Sequence, residues 1–172
     1  TYYPGVGYDL YVSSTYGLYG YNLGDEDKTP IMSSMDSDFT FYDIYQVTGL
    51  NEREFLAITN DWENGDTLTR FSKVDPKDVK EKQIITLAMP STDWDVRRLA
   101  IQFNKGSEEY RISILDYESY VTGDDWSAGI ARLNTDIVSG KAPDIMLLNN
   151  SMPIDSYISK GLFEDLKPFI EK

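Results

Sequence analysis

The sequence contains no cysteine and no histidine among its 172 residues. A disulfide framework, a zinc finger and a nucleophile–histidine pair are therefore all excluded. No apolar run reaches the roughly 18 residues that a membrane-spanning helix requires. We accordingly expect no bound metal and no cofactor.

Basic residues are also scarce, with 16 Lys and Arg against 29 Asp and Glu and a formal net charge of −13. Proteins that bind nucleic acid cluster Lys and Arg in order to release the counterions of the phosphates. Attraction to an anionic membrane surface requires the same residues. The composition therefore argues against both partners, and most of the carboxylates are expected to form a solvated acidic surface.

Aromatic residues are plentiful, and most of the 13 tyrosines and 7 phenylalanines lie in the first half of the chain. They fall in short alternating runs, separated by polar or glycine-containing turns, at positions 8–12, 18–23, 42–47, 54–59 and 67–72. Alternation with tight turns predicts β-hairpins. Residues 1–74 are thus predicted to form a small antiparallel β-segment, similar to a propeller blade or a short meander.

The polar, proline-marked stretch 75–82 has no apolar face and is predicted to be a linker. After it, residues 83–172 show three short apolar runs, at 84–88, 111–115 and 144–148. Runs that are apolar nearly throughout are typical of strands buried on both faces, as in parallel sheets. Helical patterns alternate with these runs, which predicts a βαβαβα order.

The predicted helices are defined by their apolar spacing. The first carries Val96, Leu99, Ala100 and Phe103, and the second carries Trp126, Ile130, Leu133 and Ile137, with Asp124 or Asp125 before it as a cap. Pro153 stands at the start of the third. The predicted fold class is therefore α/β, an incomplete parallel-sheet lobe preceded by the small antiparallel β-segment.

Ligands of open parallel sheets bind beyond the carboxyl ends of the strands, where the strand order reverses. The three loops expected there contain aromatic, hydroxyl, carboxylate and amide groups, which suit a sugar because rings stack on C–H patches while polar groups bind hydroxyls. The candidate ligand-binding residues are Ser91, Thr92, Asp93, Trp94, Tyr117, Tyr120, Asn149 and Asn150. An alternative role is open for several of them: Ser91, Thr92 and Asp93 suit helix caps, and Trp94 suits the core.

No catalytic motif is present: G-x-S-x-G, the P-loop and a G-x-G-x-x-G after a strand are all missing. Adjacent carboxylates such as Asp124 and Asp125 are expected by chance in so acidic a chain. The sequence therefore predicts a protein that is not an enzyme, with a secreted glycosidase as the least favoured alternative.

Residues 83–172 resemble the start of the family 1 extracellular solute-binding proteins, the carbohydrate receptors of ABC importers. The similarity covers the strand at 84–88, the helix end and strand at 101–112, and the stretch 133–145, which has the form L-x-x-x-I-x-x-G followed by Pro-Asp-Ile. It continues in 157–166, which contains the Gly-Leu-x-x-Asp-Leu segment. Order and spacing agree over about half of the chain.

The resemblance implies a two-lobed receptor that closes on a sugar or oligosaccharide and delivers it to a membrane permease. It also implies an extracellular location, anchored to the membrane of a Gram-positive type of cell. The sequence begins at Thr1 and ends at Lys172, before a second lobe, so the natural protein is expected to be longer at both ends. A non-enzymatic interaction or sensor module, motivated by the tyrosines of residues 2–45, is the alternative, and dimerisation through the open sheet edge is a further expectation.

Overall fold

A computed structural model describes residues 1–39, 41, 44–61, 65–123, 125 and 127–170. The chain forms two compact units, the first consisting of Thr1–Ile84 with Trp94–Ser113 and the second of Ile85–Asp93 with Ile114–Lys172. The architecture is mixed α/β, with two antiparallel sheets and a small parallel sheet. In the described part of the chain, no helix combines the length and the apolar character needed to cross a membrane.

The first antiparallel sheet is a four-stranded meander. Its strands are β1 (Tyr2–Pro4), β2 (Leu10–Ser14), β3 (Gly17–Tyr21) and β4 (Thr29–Ser33), paired in that order. Gly17 allows β3 and β4 to approach closely, because a Cβ at this position would lie 2.1 Å from the Met32 carbonyl oxygen. A glycine is therefore required at the start of β3.

The second antiparallel sheet contains β5 (Ile44–Asn51), β6 (Glu54–Asp61) and β7 (Gly65–Ser72), again paired in chain order. The side chain of Asn51 closes the β5–β6 turn by accepting a hydrogen bond from the Arg53 amide at 2.8 Å. The antiparallel β-structure predicted for the first half is confirmed. Of the run predicted at 42–47, residues 42 and 43 lie outside the described residues.

Both antiparallel sheets contribute to one apolar core in the first unit. Its buried members are Tyr3, Tyr11, Leu18, Phe41, Ile44, Val47, Phe55 and Ala57. Phe71 of β7 stacks on Phe55 of β6, with ring centres 5.3 Å apart. Much of the aromatic content that marks this half of the sequence therefore forms its core.

The remainder of the chain alternates strands and helices. After a short 3₁₀ turn at Pro76–Asp78, it forms β8 (Gln83–Met89), α1 (Trp94–Gly106), β9 (Tyr110–Asp116), a 3₁₀ turn at Glu118–Tyr120, α2 (Ala128–Val138), β10 (Ile145–Met146), α3 (Ile154–Ser159) and α4 (Lys167–Ile170). The predicted alternation is confirmed. The division of the chain at 75–82 into separate domains stays a prediction.

The third sheet has the order β10-β8-β9. β10 pairs with β8 in parallel, with Ile145 opposite Leu87. β8 and β9 also run the same way, because their starts are joined by Gln83 N–H donating to Glu109 O at 2.8 Å and their ends by Tyr117 N–H donating to Met89 O at 2.9 Å. The predicted parallel sheet is confirmed as a three-stranded one whose third strand is only two residues long.

The buried face of α1 differs from the prediction. Leu99 and Phe103 of the predicted apolar stripe are 56% and 40% exposed, whereas Arg97 and Asn104 are buried beside Ala100 and Ile101. The reason is polar: Asn104 bonds the backbone of Ile112, and the Arg97 guanidinium lies 5.3 Å from the Tyr16 ring. The predicted buried face is therefore wrong at Leu99 and Phe103, because the spacing of apolar residues does not show which polar side chains have partners inside the protein.

The buried face of α2 agrees with the prediction at the described positions. Leu133 is fully buried, and Ile130 and Ile137 pack on the core of the second unit. That core also contains Ala88, Tyr117, Met152 and Tyr157. Trp126 of the predicted stripe, and Asp124 as its predicted cap, lie outside the described residues.

Candidate ligand-binding site

The order of the parallel sheet creates a switch point at β8. The chain passes from β8 to β9 on one side and then returns past β8 to β10 on the other. The loops that leave β8 and β10 therefore diverge from neighbouring strand ends, and a crevice of this kind is where open parallel sheets bind ligands. We call these two loops, residues 90–93 and 147–153, the rim; both belong to the second unit.

The loop after β8 is fixed by a carboxylate from the loop after β9. The backbone N–H of Thr92 donates to Oε2 of Glu118 at 2.6 Å, a short charge-assisted hydrogen bond. Ser91 is exposed, while Thr92 and Asp93 are half-buried. The three candidate residues of this loop thus stand at the rim, with the backbone of Thr92 held in place.

Trp94 opens α1 and belongs to the first unit. Its side chain is half-exposed, and the guanidinium carbon of Arg97, one turn along the helix, lies 5.9 Å from its ring centre. Cation–π contact of this kind stabilises the ring while leaving much of it in solvent.

The loop after β10 is organised by Asn149. The side-chain oxygen of Asn149 accepts a hydrogen bond from the Ser151 backbone amide at 3.0 Å, and its backbone carbonyl oxygen accepts one from the Met152 backbone amide at 3.2 Å. Met152 anchors the loop in the core. Asn150 is exposed at the tip, and the carboxamide nitrogen of Asn149 has no hydrogen-bond partner within the described residues. Both amides are therefore available to a ligand at the rim.

The position of β10 is set by Asp144, the aspartate of the Pro-Asp-Ile segment. Its Oδ2 accepts from the Thr86 amide at 2.8 Å and from the Thr86 hydroxyl at 2.7 Å, and its own amide donates to Thr86 Oγ1 at 2.9 Å. These hydrogen bonds hold the pKa of Asp144 below its ordinary value. These hydrogen bonds thus fix the start of β10 against the central strand, β8.

The structure treats the two candidate tyrosines after β9 differently. Tyr117 is only 4% exposed, and its hydroxyl donates to Oδ2 of Asp136 at 3.1 Å. Burial, and next the contact with Asp136, raise the pKa of Tyr117 to about 12. Tyr120 is 46% exposed, with its ring centre 6.1 Å from that of Tyr117. Tyr117 therefore belongs to the core, and Tyr120 presents its ring to solvent.

Tyr120 borders a depression of about 380 Å³ that sequence reasoning did not anticipate. We call it the Tyr120 depression; its lining residues are Ile114, Leu115, Asp116, Tyr117, Ser119, Tyr120, Arg132, Asp136 and Lys141. No described residue of the rim lines it. Two of the candidate residues, Tyr117 and Tyr120, belong to this lining. The i, i+4 spacing of Arg132 and Asp136 is the sequence signal that could have added the ion pair on α2.

Arg132 and Asp136 form the polar wall of the Tyr120 depression. Arg132 Nε donates to Asp136 Oδ2 at 3.2 Å, and the guanidinium carbon lies 5.3 Å from the centre of the Tyr120 ring. The contact with Asp136 raises the pKa of Arg132 further above its ordinary range, so the cation is permanent.

Across the described part of the chain, no group of three or more carboxylates is gathered in a way that would hold a metal ion.

Comparison of the chain with protein-family models, curated proteins and solved structures finds no match. The geometry of the second unit and the sequence patterns are therefore what bears on function.

Proposed function

We propose that this chain is the ligand-binding part of an extracytoplasmic solute-binding receptor of an ABC-type importer, with a sugar or oligosaccharide as its ligand. The observation that supports this most directly is the β10-β8-β9 strand order, which sets the rim loops on either side of a switch point. The protein in this proposal binds and releases its ligand without chemical turnover.

The chemistry of the rim suits hydroxyl groups. Asn149 and Asn150 offer amide donors and acceptors, Ser91 a hydroxyl, and Asp93 a carboxylate. Directional polar groups of this kind fix the orientation of a small polyhydroxylated ligand. The rim has no excess of cations, which favours a neutral sugar there over a phosphorylated one.

The finer fold in this proposal is the first part of a periplasmic-binding-protein-like lobe. The Gly-Leu-x-x-Asp-Leu segment has a structural basis that supports the proposal: Gly161, at φ +68°, follows the end of α3, and Leu162 packs on the core of the second unit. Such a receptor closes a second lobe over the ligand, which supplies much of the buried contact. A lobe of this kind by itself would bind weakly.

The partner in this proposal is a membrane permease, and the location is the outer surface of the cell, with a lipid anchor. Both follow from the resemblance of residues 83–172 and not from any contact in the structure. Genes for two permease subunits beside the gene of this protein would support the assignment. Their absence, together with an enzyme operon in their place, would count against it.

A nuclear magnetic resonance titration of the 172-residue chain with mono- and oligosaccharides tests the proposal, because it detects weak binding. We expect amide shifts concentrated in residues 90–93 and 147–153, weakened severalfold by Asn150→Ala. Gln102→Ala removes another exposed carboxamide, from α1, and serves as the matched control. If no class of sugar moves any amide of the second unit, the receptor assignment is wrong.

A second candidate function, an interaction module, is favoured by a cleft of about 780 Å³ in the first unit. Aromatic side chains line part of it, and charged residues from the turns border it; among them are Tyr8, Tyr11, Phe55, Phe71, Glu52 and Arg53. Cross-linking of the whole chain in its native extract tests this function. A specific partner should be lost with Glu52→Lys and retained with Asn150→Ala.

A further inference from the structure

All described residues that line the Tyr120 depression belong to the second unit. Binding there requires no described residue of the first unit. Its volume of about 380 Å³ is at the small end of the range for ligand pockets, roughly 300–1,000 Å³. It therefore suits one ring, not an oligosaccharide chain. Its lining residues lie on β9, in the turn that follows it, on α2 and just after α2, and none of them is a residue of the rim.

Arg132 is held in a geometry that suits recognition of an anion. Its Nε is bonded to Asp136, and its guanidinium is placed over the Tyr120 ring, so the plane of the fork is fixed. The two terminal nitrogens have no hydrogen-bond partner within the described residues, and the side chain is 47% exposed. A fixed guanidinium whose two terminal NH2 groups have no protein partner among the described residues can donate two parallel N–H bonds, one to each oxygen of a carboxylate.

The other lining groups supply a second cation and hydroxyl acceptors. Lys141 follows α2 and borders the same space. Asp136 uses only Oδ2 for Tyr117 and Arg132, and its Oδ1 has no partner within the described residues. Asp116 also lines the depression, and its Oδ1 accepts from the Glu118 amide at 3.1 Å. With two cations and two carboxylates, the lining suits a ligand that carries both a carboxylate and hydroxyl groups.

We propose that the Tyr120 depression binds the ring of a sugar acid, a uronate, as a site separate from the rim. Arg132 and Lys141 bind the carboxylate, Asp136 accepts from a ring hydroxyl, and the exposed part of Tyr120 contacts the ring. This inference rests on the proposed function for its ligand class, since it adds an acidic sugar residue to a carbohydrate receptor. It assigns a role to α2, which the rim does not use.

Glucuronate and glucose are the matched probes, because they share a ring and differ in the carboxylate. Titration of the whole chain, followed by amide shifts, should show glucuronate moving residues 116–120, 132, 136 and 141 at concentrations at least ~10-fold below those needed for glucose. Equal binding of both probes would overturn the carboxylate assignment. Shifts from glucuronate confined to the rim would overturn the site while leaving the proposed function intact.

Arg132→Gln should weaken glucuronate binding by ~10- to 100-fold, and Lys141→Gln by a smaller factor. Lys141 has an exposed side chain, so its variant keeps the test valid if the Arg132 variant unfolds. Arg98→Gln is the matched control, since Arg98 is an exposed helical arginine paired with Asp95 at 3.1 Å on α1. Unchanged affinity for glucuronate in both test variants would refute the inference. If no sugar shifts any amide at either site, the inference and the proposed function are both refuted.

Discussion

Asn104 shows how one polar side chain can define the buried face of a helix. It is fully buried, donates to the Ile112 carbonyl at 3.0 Å and accepts from the Ile112 amide at 2.7 Å. A carboxamide can satisfy both groups of one strand residue at once, which no apolar side chain can do. This pairing explains why α1 buries Asn104 and leaves Phe103 exposed.

Replacing Asn104 by alanine should lower the free energy of unfolding by about 2 kcal/mol or more. The substitution leaves the amide and carbonyl of the half-buried Ile112 without their side-chain partner, and an unpaired group of this kind costs about 1–3 kcal/mol when water does not reach it. Urea unfolding followed by circular dichroism measures the difference. Gln102→Ala, two residues earlier on the exposed face of α1, is the control. Coinciding midpoints for the two variants would show that the pairing is dispensable.

Tyr117 and Tyr120 show the limit of prediction at the residue scale. Both are aromatic residues just beyond a predicted strand, so the sequence offers the same argument for each as a sugar platform. The structure buries Tyr117 against Leu133 and exposes Tyr120. Their difference depends on where α2 packs, which is a long-range property that local sequence does not encode.

Replacing Tyr117 by phenylalanine should cost about 1 kcal/mol at neutral pH, because it removes the hydrogen bond to Asp136 but keeps the ring. The pKa of Tyr117 is raised from 10.0 to about 12, so its protonated form is favoured by folding. That contribution is complete below pH 10 and is lost as the pH rises through about 12. The melting temperatures of the Phe variant and the unsubstituted protein should therefore differ by a constant amount between pH 8 and 10 and converge above pH 10. A difference that stays constant above pH 10 would contradict the assignment.

At the scale of elements, periodicity predicted the type and order of the structure well. The strands expected at 84–88 and 111–115 occur as Gln83–Met89 and Tyr110–Asp116. The run at 144–148 forms only the strand Ile145–Met146, because the side chain of Asp144 replaces strand pairing at its start. The apolar pattern identifies the strands. Their ends depend on polar side chains, such as Asp144, that take the place of backbone hydrogen bonds between strands.

Asp144→Asn should destabilise the protein at neutral pH by weakening the attachment of β10 to Thr86 of β8. The folded pKa of Asp144 lies below its ordinary value of 3.8, so its stabilisation is present above that value. It is lost as the pH falls through the lower, folded pKa. Chemical unfolding at a series of pH values should show the difference from the unsubstituted protein shrinking in acid.

The control for the Asp144 variant is Asp27→Asn, which removes a carboxylate from an exposed turn. Its effect should be small at every pH, because an exposed carboxylate without partners contributes little to folding. If the two variants behave alike across the acid range, the attachment of β10 does not depend on the charge of Asp144.

At the scale of the whole molecule, the edges of the parallel sheet differ in how they are protected. β9 is covered at Ile112 by the side chain of Asn104. β10, on the other edge, offers only two residues for pairing. Short or covered edges resist strand addition. Both features act against self-association through this sheet, and so does the net charge of the chain.

Because the net charge is −13, we expect the melting temperature of the protein to depend on salt. Like charges repel one another in the compact state, and the Debye length falls from about 30 Å at 0.01 M to about 8 Å at 0.15 M salt. Several of the ion pairs, such as Lys80 with Glu108, are exposed, and screening an exposed pair removes at most about 1 kcal/mol. Relief of repulsion should dominate, so the melting temperature should rise over this range of sodium chloride at pH 7.

The same scans near pH 4.3 provide the control, because that is the isoelectric point of the sequence and the net repulsion vanishes there. Salt should then leave the melting temperature unchanged or lower it slightly, as only attractive pairs remain to be screened. An equal rise at both pH values would identify a general salt effect on apolar burial instead. A fall at pH 7 would mean that attractive contacts, such as the half-buried pair of Arg111 with Asp38 at 2.9 Å, outweigh the excess of carboxylates.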